Sequence, residues 1–188
     1  IKTSKRLGFW TIVASPNEKE PGFEYADEKV IVDLCDKNAV LEAAQKLKID
    51  GIISDQAETP VRTQAFVANK MGLPGIGEDK AELFTNKYLM REKCREIGID
   101  TIKYKLVDNV NDAAKFYEQI GKPMIMKPID SAGSRGVVKI EAVQNIYDQF
   151  DYSKDASKTG KVIIEEYIPG KELLIDGVVF NGIYQTLI

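Results

Sequence analysis

Within residues 123–172 the chain reads Pro123-Met-Ile-Met-Lys127-Pro128, then Ile129-Asp-Ser-Ala-Gly133-Ser-Arg-Gly136, and later Val162-Ile-Ile-Glu165-Glu166-Tyr-Ile168-Pro-Gly-Lys-Glu172. A short apolar run ends in a lysine, and Pro128 keeps that lysine extended while ending the ladder. A loop of small residues follows, with Ser131, Ser134 and Arg135 as donors and Gly133 and Gly136 as turn-formers. Loops of this kind let backbone N–H groups approach phosphate oxygens closely. A second apolar run closes on Glu165 and Glu166, a Pro-Gly turn and Glu172. Each sign has a plain structural reading as well: an edge-strand lysine, a hairpin turn, a solvated acidic strand end. Their order and closeness point to a nucleotide triphosphate site.

Composition narrows the chemistry. The chain has 188 residues, enough for one ordinary domain or two small ones, and no histidine. Imidazole bases, Ser-His-Asp systems and histidine zinc sites are therefore excluded. Phosphoryl transfer, which depends on positioning and charge neutralisation, suits the remaining lysines, arginines and carboxylates. A net charge of -3 argues against a nucleic-acid partner. No apolar run reaches the roughly 20 residues of a membrane span. Cys35 and Cys94 have no metal-type spacing, and a reducing, cytoplasmic setting is expected.

Upstream, the pattern alternates. Residues 1–7 read as a helix stopped by Gly8, residues 9–14 as a buried strand, 18–27 as loop and 30–33 as a strand. A helix over 38–48 is capped by Asn38, a strand follows over 51–54, and a helix over 61–71 stops at Gly72. This predicts a parallel sheet. Asp79 and Glu82 suggest a capping box opening a helix that runs towards Ile97 and Gly98, with Lys87 in an apolar stripe; a second start near Thr85 would instead put Lys87 in a first turn. A smaller α/β unit is expected from Thr101. It has strands over 104–107, 124–127, 137–140 and 162–167, helices over 109–120 and 142–150, and a polar connection over 151–160. Strands over 172–179 and 184–188 then turn at Asn181-Gly182.

Taken together, Thr85-Asn-Lys87-Tyr-Leu-Met-Arg91, Lys122-Pro-Met-Ile-Met-Lys127-Pro, the loop 131–136 and Glu165-Glu-Tyr-Ile-Pro-Gly-Lys-Glu172 resemble the successive nucleotide-site segments of ATP-grasp enzymes, closest to the carbamoyl-phosphate synthase large-subunit and biotin carboxylase branch. Tyr25-Ala-Asp27, Asp50-Gly-Ile-Ile53 and Gly72-Leu-Pro-Gly75 resemble the preATP-grasp domain of that branch. The resemblance implies an α/β fold: a Rossmann-like parallel sheet over 1–78, then the first part of an ATP-grasp domain over 79–188, with a lid subdomain over about 101–168 and the start of the core sheet over 169–188. An α/β unit that opens on a helix and a last strand that runs off at Ile188 lead to the expectation of a chain clipped at both ends.

The resemblance also assigns roles. Lys87 and Lys127 would contact ATP phosphates, and Ser131, Gly133, Ser134, Arg135 and Gly136 would form a flap over them. Glu165, Glu166 and the backbone of Tyr167 and Ile168 would hold adenine, Glu172 the ribose, and Glu58 would face an acceptor. ATP and Mg2+ are the implied cofactors, with the Mg2+ ligands expected beyond Ile188. The implied activity is phosphorylation of a small carboxylate or bicarbonate for attack by an amine, with a non-catalytic nucleotide-binding or assembly module as the alternative. Oligomeric state stays open, a homodimer among the options.

Overall fold

The computed structural model describes residues 1–54, 57–99 and 102–187. Helix α1 (Lys2–Arg6) stops as expected, with Gly8 at φ +84°. Strand β1 (Ile12–Ser15) pairs in parallel with β2 (Glu28–Ile31), Ala14 opposite Val30. A 3-10 turn (Pro21–Glu24) interrupts the loop between them. Helices α2 (Lys37–Leu47) and α3 (Val61–Met71) pack on each other, and Val40, Ala44 and Val67 form the core of this N-terminal part.

Several expectations are corrected here. The first strand begins at Ile12, and Phe9 and Trp10 are exposed. Phe9 N–H is taken by Ser4 O, and Asp27 holds both Thr11 N–H and Thr11 Oγ1, so the chain is still turning out of α1 where a strand was expected. The cap of α2 is Asp36, whose Oδ1 accepts from Asn38 N and Ala39 N; Asn38 is its beneficiary. Residues 51–54 form no strand, and Ile53 is exposed. The helix expected over 79–97 is two helices, α4 (Glu78–Phe84) and α5 (Lys87–Glu96). Asp79 lies inside the first turn of α4, behind Gly77 as cap. Asn86 breaks the run because its side chain caps α5, accepting from Tyr88 N and Leu89 N. The second start near Thr85 is the one observed.

Strand β3 (Tyr104–Val107), helix α6 (Val110–Ile120), β4 (Met124–Pro128), β5 (Val138–Ile140), helix α7 (Val143–Asp155) and β6 (Val162–Glu166) build an antiparallel sheet in the order β3-β6-β4-β5. Because β6 lies between β3 and β4, the β3-α6-β4 unit is a split βαβ. Period-two alternation places Met124, Met126, Val162 and Ile164 on the face covered by α6 and α7, where they join Ala113, Ile140, Ile146 and Phe150 in one cluster. Burying each of the larger side chains contributes about 1.5–3 kcal/mol. The opposite face carries Ile125, Lys127, Ile163 and Glu165.

Helix α7 runs into the stretch expected to be a polar connection. Its inner face continues the 146, 150 spacing to Ser153, which is fully buried and donates to Gly136 O at 2.7 Å. A polar residue there hides a helical position from a hydrophobic pattern. Strands β7 (Gly177–Phe180) and β8 (Ile183–Thr186) form an exposed hairpin turned at Asn181 and Gly182, with φ +50° and +76°. Positive φ at both central residues marks a type I′ hairpin turn, which is what Asn-Gly favours. Residues 172–176 are irregular, and the end of the last expected strand, Ile188, lies outside the described residues.

Candidate nucleotide site

Two adjacent connections bring the site together. Lys87 is the first residue of α5, and its N–H donates to Ile129 O at 2.8 Å, docking the helix start on the end of β4. Its ammonium donates to Ser131 O at 2.5 Å, at the base of the loop 131–136. That carbonyl is neutral, and among the described residues no carboxylate lies within ion-pair distance of Lys87. Burial pushes the Lys87 ammonium below the ordinary lysine value; Glu58 pulls it up, Lys127 pushes it down, and Asp130 and Glu165 pull it up. Four charged groups from different parts of the chain therefore act on the Lys87 ammonium.

Lys127 and Glu165 lie on the same face of β4 and β6, one diagonal apart, since Ile125 is opposite Glu165 and Lys127 opposite Ile163. Lys127 Nζ donates to Glu165 Oε1, and Arg91 Nε donates to Glu165 Oε2 at 2.9 Å. Glu165 is buried. Burial pushes its carboxyl up, but the hydrogen bonds from Arg91 and Lys127 outweigh that and hold it below the ordinary glutamate value. The group is thus a fixed carboxylate. Arg91 was not singled out among the candidate residues. The signal for it is its position four residues after Lys87, on the same face of α5.

Other expected residues are placed differently. Glu166 falls on the opposite face of β6 from Glu165; it accepts from Lys103 N at 2.7 Å and pairs with Lys122 at 3.7 Å. Tyr167 N–H is used by Pro123 O, and its ring sits under the Lys139 ammonium, 4.6 Å from the centroid. Ile168 is exposed, and Glu172 is exposed on the irregular segment before β7. Neither is brought into hydrogen-bonding contact with the cluster among the described residues.

The loop 129–137 joins β4 to β5 and exceeds the two to five residues of an ordinary hairpin connection. Gly133 and Ser134 have φ +65° and +57°, and Gly133, Ser134 and Arg135 are exposed. Gly136 is buried at φ +73°, where a Cβ would meet Ala156 Cβ at 2.7 Å and Pro128 Cδ at 3.0 Å. Ser131 Oγ is buried with no hydrogen-bond partner among the described residues. Beside the loop opens a cleft of about 370 Å³ bordered by Glu58, Arg62, Thr85, Arg135 and Lys158. Among the described residues no group of three or more Cys, Asp or Glu side chains is arranged to hold a metal ion.

The geometry agrees with what the sequence is similar to. A family model described as the ATP-grasp (A) domain of phosphoribosylglycinamide synthetase matches residues 85–186, more than half of the chain. A formate-dependent phosphoribosylglycinamide formyltransferase of Methanocaldococcus jannaschii is 26% identical over 170 residues, covering 88% of this chain and 43% of the relative. Phosphoribosylglycinamide synthetase from Anaerococcus prevotii superposes with a TM-score of 0.67 at 26% identity, covering 97% of this chain and 46% of that one. The biotin carboxylase domain of Hydrogenobacter thermophilus 2-oxoglutarate carboxylase, solved with MgADP, ADP and bicarbonate, superposes at 0.72 with 20% identity, covering 89% and 41%. The chain spans less than half the length of these relatives. The model match over more than half of the chain shows that it belongs to the phosphoribosylglycinamide synthetase ATP-grasp (A) domain family.

Proposed function

We propose that this chain supplies the adenine- and phosphate-binding face of an ATP-dependent ligase that activates a small carboxylate for attack by an amine. In that chemistry a carboxylate oxygen takes the γ-phosphoryl group, ADP leaves, and the amine nitrogen then displaces phosphate from the acyl carbon and gives up a proton. The relatives' names favour a carboxylate such as formate over the bicarbonate of a carbamoyl-phosphate synthase.

The observation that carries the reading is Lys87: a half-buried ammonium whose hydrogen-bond partner among the described residues is a main-chain carbonyl, at the root of a Gly-Ser-Arg loop and within the field of Lys127 and Glu165. A cation held this way is favoured by an anion beside it. Lys127 would steady the neighbouring phosphate, while Glu165, kept ionised by Arg91, would accept from the exocyclic amine of adenine. The buried Ser131 hydroxyl, unpartnered among the described residues, fits the same ligand, since a phosphate oxygen would relieve a cost of about 1–3 kcal/mol. The cleft bordered by Glu58, Arg62 and Arg135 adjoins the loop and is where an acceptor would sit. The residues present thus fit ATP. Among the described residues no cluster of carboxylates forms a Mg2+ ligand set.

Calorimetric titration with ATP tests the reading. Lys87→Ala and Lys127→Ala are each expected to weaken binding by about tenfold or more, or about 1.4 kcal/mol. ATP affinity that neither substitution changes would remove the assignment.

A further inference from the structure

The loop 131–136 is locked at both ends and unpacked at its tip. At the first end, both carboxylate oxygens of Asp130 are saturated by one neighbouring segment. Oδ1 accepts from Ser157 Oγ at 2.8 Å and Lys158 N at 3.0 Å; Oδ2 accepts from Thr159 N at 3.1 Å and Thr159 Oγ1 at 2.9 Å. At the second end, buried Ser153 donates to Gly136 O, and Gly136 lies so close to Ala156 and Pro128 that no Cβ fits. Both anchors therefore belong to residues 153–159, the end of α7 and the turn after it. Between them nothing lies within 4 Å of a Cβ built on Gly133.

We propose that Asp130 is a positioning residue for the phosphate loop: it fixes one hinge to residues 157–159 while Ser153 and Gly136 fix the other, so that only the tip moves over a polyphosphate. The inference rests on the nucleotide reading above. Its physical content is entropic. Two fixed hinges restrict the tip to conformations that keep its N–H groups over the site, so little ordering remains to be done when phosphates arrive. Asp130 lies next to Ser131, whose carbonyl holds Lys87, so the same anchor sets the position of the carbonyl that accepts from that ammonium. A carboxylate that merely stapled the turn after α7 would affect stability alone.

AMP and ATP serve as the two probes, because AMP lacks the phosphates that the tip would cover. In the unaltered chain, ATP is expected to bind about tenfold or more tighter than AMP and, unlike AMP, to slow amide exchange over 131–136. Asp130→Ala is expected to keep AMP affinity within about threefold while the preference for ATP falls to about threefold or less. Asp130→Asn, which keeps the Oδ1 acceptor, should retain part of the preference. Ser157→Ala removes one of the four bonds and should cause a smaller loss in the same direction; with Asp130→Asn it decides the matter if Asp130→Ala does not fold. If the unaltered chain shows no preference for ATP over AMP, the phosphate loop fails and the inference with it. If it shows the preference and the folded variants keep it while melting earlier, Asp130 is a staple only, and the nucleotide site stands without this inference.

Discussion

At Lys87 a lysine in an apolar stripe has two fates, snorkelling to water or meeting an anion, and the break at Asn86 decides between them. Placed at the start of α5, the side chain turns to the loop carbonyl of Ser131. Its lowered pKa has a measurable consequence. Between that value and the ordinary 10.5, the unfolded chain binds more protons than the folded one, so this group's contribution to stability rises with pH. A bound polyphosphate reverses the shift, because an anion favours the ammonium form. ATP binding is therefore expected to take up protons at alkaline pH, and affinity to fall as pH rises through the lowered pKa. Titrations in two buffers of different ionisation enthalpy check the first point. Lys87→Arg, charged throughout, should flatten the second. Glu165 works in the opposite sense. Its carboxyl is depressed, so what it contributes to stability is present above the ordinary glutamate value and lost as pH falls through the lower one.

Among the elements, α5 carries two of the site's charged side chains, Lys87 and Arg91, although it buries none of its residues fully. Its N-terminus is set by Asn86 and by the Lys87 N–H to Ile129 O bond, and its face by Arg91 on Glu165. Asn86→Ala is expected to cost about 1 kcal/mol of stability in urea unfolding, the usual loss for a cap. It should also weaken ATP binding, since the first turn presents Lys87; unchanged ATP affinity alongside the stability loss would separate the cap from the site. Caps and stops of this kind were largely legible in the sequence. Gly72, Gly98 and Gly121 all sit at positive φ just past a helix, and Asn109 caps α6. Asp36 was missed because Asn38 offered an equally good capping side chain two residues on. The end of α7 was missed because its buried position is a serine.

Across the whole molecule, the antiparallel sheet with α6 and α7 holds the larger core, while the β7–β8 hairpin leaves Val178, Val179, Phe180, Ile183 and Tyr184 exposed. A two-stranded hairpin alone is marginal in water. Amides of β7 and β8 are therefore expected to exchange about a hundredfold or more faster than those of β4 and β6, read by hydrogen exchange with mass spectrometry; equal protection would mean that the hairpin is held by contacts it does not show here. The apolar run over 9–14 reads as a buried strand, yet Phe9 and Trp10 are exposed, because a hydrophobic side chain is buried only where another element presents a surface to it. By itself the sequence determined what depends on neighbours a few residues away: helix stops at glycine, the Asn181-Gly182 turn, the alternation that sorts β4 and β6 into two faces. It also excluded imidazole chemistry. Long-range packing alone brings Arg91 and Lys127, which lie 74 and 38 residues from Glu165, onto one carboxylate, and fastens the loop through Asp130 to the turn after α7. Those meetings are set by strand register and helix docking, which no local period records.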